Sequence, residues 1–249
     1  MRVVLFLDLD DTIFQTRPKC PVGEDVFPAA YRRDGTPLSF MTHRQRALLD
    51  LWFRAATVIP TTARNLDAFR RVDLPFDRHA ILDFGGVVLL PDGAPDADWD
   101  AIIRPQARRC ATELHAVHRD LERFIHKRDL GANARVISDF DMPLYVVVKH
   151  PDGDSSKLQT IHDELLPTLP LELFFIHAND NNLSLVPRFL GKEHAVRHVV
   201  ERHFADEPVV TIGMGDSLTD AAFLDGCDFS LMPRGAQLAR RLFANSEGS

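Results

Sequence analysis

The stretch Phe6-Leu7-Asp8-Leu9-Asp10-Asp11-Thr12 constrains this chain more than any other. It follows the apolar run Val3-Val4-Leu5, which reads as a buried strand, and it sets carboxylates where that strand must stop. Neighbouring carboxylates taken out of water cost on the order of several kcal/mol each unless a cation or strong hydrogen bonds compensate. Magnesium suits such a group, because a hard cation takes oxygen ligands and retains exchangeable waters. The plainer alternative is an acidic cluster that ends a strand and caps a helix.

Three later stretches bear on that choice. The strand-like Val58-Ile59-Pro60 ends in Thr61-Thr62-Ala63-Arg64, Lys192 opens a helical segment, and Val209-Val210-Thr211-Ile212 runs into Gly213-Met214-Gly215-Asp216-Ser217-Leu218-Thr219-Asp220. In order these read Asp-x-Asp, Thr, Lys and Gly-Asp-Ser-x-x-Asp.

A chain of 249 residues has room for one large α/β domain or for a core with an insert. The 45% apolar and 26% charged content is ordinary, and no apolar run is long enough to cross a bilayer. The N-terminus is strand-like and acidic rather than a basic, apolar export signal, so a cytoplasmic protein is expected. Cys20, Cys110 and Cys227 are too few and too far apart for a disulfide framework or a Cys-based zinc site. A net charge of -7 is opposite in sign to a nucleic-acid-binding surface. Neither nucleic acid nor membrane is an expected partner, and nothing in the sequence sets an oligomeric state.

Along the chain, residues 13 to 41 are rich in Pro and Gly, with a hairpin expected to turn at Asp34-Gly35. Thr42 reads as the N-cap of a helix over 43–55. Strands at 57–60 and 80–82 flank a helix near 65–71, and alternation at this spacing predicts a doubly wound, parallel α/β sheet. From Val87 the character changes. A hairpin, an exposed acidic connection and a charged helix over 103–128 precede a strand over 144–148, a helix over 157–166, a strand over 171–176, a polar turn at 179–182 and a strand over 183–186. This reads as an α+β domain, 87–186, inserted into a core formed by 1–86 and 187–249. The core resumes with a helix from Lys192, strands at 209–212 and 229–231, and helices at 218–224 and 236–244. Only the last few residues read as disordered.

The ordered set of four motifs resembles the haloacid dehalogenase superfamily, whose members are mostly magnesium-dependent phosphatases. Thr62-Ala63-Arg64 is similar to the Thr-Gly-Arg, and Phe84-Gly85-Gly86-Val87 to the Asn-Gly-Ala, of its class IIB branch. That branch carries a C2-type cap between the second and third motifs and includes Cof-type and sucrose-phosphatase-like enzymes. The resemblance implies a Rossmann-like core and a phosphomonoesterase for a small phosphorylated metabolite such as a sugar phosphate. It makes Asp8 the nucleophile that forms an aspartyl phosphate and Asp10 the general acid and base. Asp8, the backbone carbonyl of Asp10 and Asp216 would hold Mg2+, with Asp220 supporting the metal or Lys192. Thr62, its backbone amide and Lys192 would bind the phosphoryl oxygens, Thr62 being favoured over Thr61 because it directly precedes Ala63-Arg64. Arg64 either contacts substrate or pairs with an acid. Asp11 and Thr12 are expected to stabilise the turn.

Other readings are a phosphomutase of the same superfamily and a non-catalytic phosphoacceptor or binding module. Gly213-Met214-Gly215 lacks the third glycine of a dinucleotide site. His194 and His198 are four apart on a helix, as solvent-facing histidines often are, and no third ligand for zinc is evident.

Overall fold

The apolar run after Met1 forms the strand Arg2–Leu7, in which residues 4 to 7 are buried, as befits a strand covered on both faces. The computed structural model describes residues 1–179 and 182–243. Arg2–Leu7 pairs in parallel with Val209–Met214 on one side and Thr57–Pro60 on the other, and Phe229–Leu231 adds to the outer edge of Val209–Met214. Strand order therefore reverses at the Arg2–Leu7/Val209–Met214 pair, and ligands of open α/β sheets bind beyond the carboxyl ends of strands at such a switch. Leu7 is level with both Met214 and Pro60, so Asp8, Gly215 and Thr61 leave the sheet side by side.

The strand Ala80–Leu82 keeps the expected parallel direction and gains an antiparallel partner as well. It joins the sheet through the parallel bridge Thr61–Ile81 and pairs antiparallel with Val87–Leu89. Residues 26–31 and 37–42 make the expected hairpin, and Thr42 starts the helix His43–Ala55 with a reciprocal cap. The Gln45 N–H donates to Thr42 Oγ1 at 3.3 Å, and the Thr42 N–H to Gln45 Oε1 at 2.9 Å. Leu5, Leu7, Leu9, Ile13, Phe14, Met41, Leu49 and Val58 share one core.

The chain divides into two compact units, 1–99 with 191–249, and 100–190. These limits differ from 87 and 186. Val87–Leu89 remains with the first unit because it pairs with Ala80–Leu82, and Trp99 remains because its indole donates to the Gly85 carbonyl at 2.9 Å. Gly85 adopts a φ of +92°, and a Cβ there would lie 2.8 Å from the Gly191 carbonyl carbon, so the backbones at 85 and 191 touch.

In the second unit the sheet order is Phe174–Asn179, Asn182–Pro187, Met142–Lys149, Asn133–Asp139, all antiparallel. Leu114, Val117, Leu121 and Ile125 of the helix Ala97–Lys127 pack with Val146, Val148, Phe174 and Leu185. The helix predicted over 157–166 is instead Ser155–Thr160, a wider π turn over Ile161–Leu165 and a 3-10 turn over Leu166–Thr168 containing Pro167, which has no N–H to continue an α-helix. The strand predicted from Leu171 begins at Phe174, because the Phe174 N–H closes a turn onto the Leu171 carbonyl at 3.2 Å. Asp180 and Asn181 of the predicted polar turn, Ala244 of the last helix and the final residues expected to be disordered lie outside the described residues. Among the described residues, no helix is long and apolar enough to cross a membrane.

Candidate active site

Asp8 is the first residue beyond the strand Arg2–Leu7, and its N–H still donates to the Met214 carbonyl at 2.8 Å. The chain then folds tightly. Three N–H groups, of Thr12, Ile13 and Phe14, converge on the Leu9 carbonyl at 3.0–3.3 Å, and Asp11 takes a φ of 62°. That turn brings the buried Thr12 hydroxyl to Asp8 Oδ2 at 2.9 Å and to Asp216 Oδ1 at 3.3 Å. Thr12 was read from sequence only as a turn residue, and its spacing of four from Asp8 in a non-helical segment carried no signal for this bridge. Asp11 pairs with Lys19.

Asp216 follows the neighbouring strand Val209–Met214, and Asp220 folds back beneath it. Asp220 Oδ2 accepts from the N–H groups of Asp216 and Ser217 and from the Ser217 hydroxyl, at 2.8–3.1 Å. A Cβ at Gly215 would lie 2.8 Å from the Asp220 Cβ, so the motif needs glycine there for space. Asp220 Oδ1 accepts from Lys192 Nζ at 2.6 Å, and the same ammonium donates to Asp8 Oδ1 at 2.6 Å. The three residues are almost wholly buried: Asp8 is 6%, Lys192 4% and Asp220 0% exposed.

Asp8, Asp216 and Asp220 each present an oxygen within 4.8 Å of the others. With all three carboxylates ionised against one ammonium, two negative charges remain, which one magnesium ion would balance. Burial raises the Asp8 carboxyl well above its usual range despite Lys192, with the Asp220 and Asp216 charges adding to it. Burial and the Asp220 charge push Asp216 up to about 7. Asp220 goes the other way: burial alone would raise it, but Lys192 outweighs that and lowers it. The all-oxygen donor set and its unbalanced charge fit a hard dication.

The second carboxylate of the Asp-x-Asp pair stands apart from this group in its bonding. Asp10 takes a two-pronged ion pair from Arg64, 2.7 Å from Nε to Oδ2 and 2.7 Å from Nη2 to Oδ1. Burial opposes the Arg64 charge, but Asp10 outweighs it and holds the guanidinium above its usual pKa. Of the two fates read for Arg64, pairing with an acid is the one observed. Thr62 is buried, and its hydroxyl accepts the Arg64 N–H at 3.1 Å. Its own backbone N–H donates to the Ile81 carbonyl at 2.8 Å, so it is spent on the bridge to Ala80–Leu82 and does not serve an anion. The Thr61 hydroxyl is turned back onto the Ile59 carbonyl at 3.2 Å.

No protein-family model and no curated protein sequence matches this chain. Solved structures do. A trehalose-6-phosphate phosphatase related protein superposes over 98% of this chain and 96% of its own, with TM-score 0.53 and 17% identity. The sucrose-phosphatase of Synechocystis, solved with sucrose and phosphate, covers 99% and 98%, with TM-score 0.50 and 17% identity. The C-terminal domain of Candida albicans trehalose-6-phosphate phosphatase covers 100% and 78%, with TM-score 0.52 and 12% identity. The fold is haloacid dehalogenase-like. A haloacid dehalogenase-like sheet with these strand ends gathers Asp8, Thr12, Lys192, Asp216 and Asp220, residues drawn from three distant parts of the chain.

Outside this group, His198 is not the solvent-facing residue the sequence suggested. Its side chain is 13% exposed, and Nε2 lies 3.0 Å from Asp96 Oδ2. His194, one turn earlier, is exposed beside Arg197 and Glu193.

Proposed function

We propose that the protein is a magnesium-dependent phosphomonoesterase acting on a small phosphorylated metabolite, a sugar phosphate in the first instance, through an aspartyl-phosphate intermediate. The observation that carries this reading is the buried Asp8–Lys192–Asp220 arrangement beside Asp216, at the switch in strand order. The proteins of like fold named above act, by their names, on trehalose-6-phosphate or sucrose phosphate, which supports the substrate class.

Asp8, the Asp10 carbonyl and Asp216 would hold the magnesium ion, which when bound supplies charge compensation for the phosphoryl oxygens. Asp8 attacks phosphorus, the bond to the leaving oxygen breaks, and Asp10, which takes up a proton on leaving its ion pair with Arg64, gives that proton to the oxygen. Water then attacks the acyl phosphate while Asp10 takes its proton back, and phosphate leaves. Lys192 donates to the phosphoryl oxygens and keeps Asp8 oriented, Asp220 holds Lys192, and Thr12 steadies Asp8. The Thr62 hydroxyl accepts from the Arg64 N–H and directs its own proton to the phosphoryl group. The Arg64 fork orients Asp10. Residues 87–186, or more narrowly the unit 100–190, act as the cap that selects the organic part of the substrate.

The test is a panel of phosphorylated sugars and other metabolites scored for inorganic phosphate, with Mg2+ and with a chelator. Magnesium-dependent release from at least one sugar phosphate supports the reading. No release from any ester with Mg2+ present overturns it, and transfer between positions of one sugar without release would identify a mutase.

A further inference from the structure

Nine residues beyond Val87, the chain reaches a polar cluster that the chemistry above does not use. Asp96 is 5% exposed on its side chain, and its Oδ2 lies 3.0 Å from His198 Nε2 and 2.6 Å from His203 Nε2. All three residues belong to the first unit. The other oxygen, Oδ1, accepts the backbone N–H groups of Asp98 at 2.9 Å and Trp99 at 3.1 Å, so the carboxylate cannot turn away from the imidazoles. The Asp96 N–H is itself tied to the Val88 carbonyl at 2.8 Å. Both rings are braced: Trp99 lies 4.9 Å from His198, and His79 lies 4.4 Å from His203, centroid to centroid.

From this geometry we propose a second metal site, distinct from the acidic cluster, in which Asp96 Oδ2, His198 Nε2 and His203 Nε2 bind a zinc-class dication. Two imidazole nitrogens and one carboxylate oxygen within 4.8 Å of one another are the three-ligand set of open zinc sites. Nitrogen donors favour a borderline transition ion over magnesium, which separates this site chemically from the all-oxygen group at Asp8. The backbone bonds to Oδ1 are the outer-shell support that orients a ligating carboxylate. A carboxylate only accepts, so each Nε2 carries the hydrogen in these contacts, and an ion takes Nε2 by sending that hydrogen to Nδ1 or to solvent. His203 is 21% and His198 13% exposed on the side chain, so the cluster is not sealed from solvent. The ion fastens the start of the helix Ala97–Lys127 to the C-terminal end of the helix Lys192–His203.

The probe is cobalt(II), titrated into the full chain with excess Mg2+ to occupy the acidic cluster, and followed by visible absorption and by tryptophan emission. The expected result is one cobalt per chain, quenching of Trp99 and displacement by zinc(II). His203→Ala and His198→Gln should each weaken binding by more than the 10–100-fold typical of losing an outer-shell partner. Asp216→Asn should bind cobalt as the wild type does. No saturable cobalt binding by the wild-type protein overturns the site, leaving a clamp of N–H bonds alone. Undiminished affinity in both histidine variants, or its loss in Asp216→Asn, overturns it as well.

Discussion

Lys192 Nζ lies 2.6 Å from Asp8 Oδ1, and both residues are almost wholly buried. The same ammonium neutralises Asp220, so one cation serves two buried carboxylates. Lys192→Met strands both, and breaking a buried pair from one side costs about 3–5 kcal/mol. Urea unfolding in the presence of a chelator should show this loss, and Mg2+ should restore part of it. Phosphate release by the variant should be undetectable at any magnesium concentration.

Asp8→Asn is nearly isosteric and keeps an acceptor for Thr12, so the fold should survive with an unchanged circular dichroism spectrum. An amide does not attack phosphorus, and turnover should vanish. Asp10→Asn retains an acceptor for Arg64 but has no proton to give, which should reduce kcat by about 10²–10⁴-fold. Appreciable turnover by Asp8→Asn, measured as phosphate released, would contradict its assignment as nucleophile.

The sheet and the four motifs were legible in sequence because strand ends, caps and acidic turns are local. Thr42 announces a helix start, and Asp8 and Asp216 sit where apolar runs stop. What the sequence did not carry were relations across long separations. Thr12 bridges Asp8 to Asp216, the Thr62 amide is consumed by Ile81, and Asp96 meets His198 and His203 across more than 100 residues of chain. The strand Ala80–Leu82 is parallel to Thr57–Pro60 as its spacing predicts, and what the pattern did not show is the antiparallel return to Val87–Leu89 that the short Asp83–Gly86 turn imposes.

Asp216 sets a pH dependence whose sign follows from its raised pKa. Burial pushes its carboxyl up to about 7 in the folded chain from the ordinary 3.8, so between about pH 4 and pH 7 the folded state holds the extra proton. The stability this provides is complete below about pH 4 and is lost as pH rises through 7. In chelator, the melting temperature of the wild type should therefore fall relative to Asp216→Asn over that window. Added Mg2+ should raise the wild-type value most at the alkaline end, where the carboxylates are ionised.

Gly215→Ala places a methyl 2.8 Å from Asp220 Cβ and 2.9 Å from its Cγ. Overpacking of this kind costs about 1–3 kcal/mol. Because the displaced group holds Lys192, kcat should fall further than the stability change alone explains. Differential scanning calorimetry beside steady-state kinetics separates the two.

The contact between Gly85 and Gly191 reaches the chemistry by the same route from the opposite side. Gly191 directly precedes Lys192, and Gly85 abuts it with bare backbone. A residue with no side chain thus governs where the ammonium stands, and adding even one carbon at position 85 would mistune a charge that it never meets.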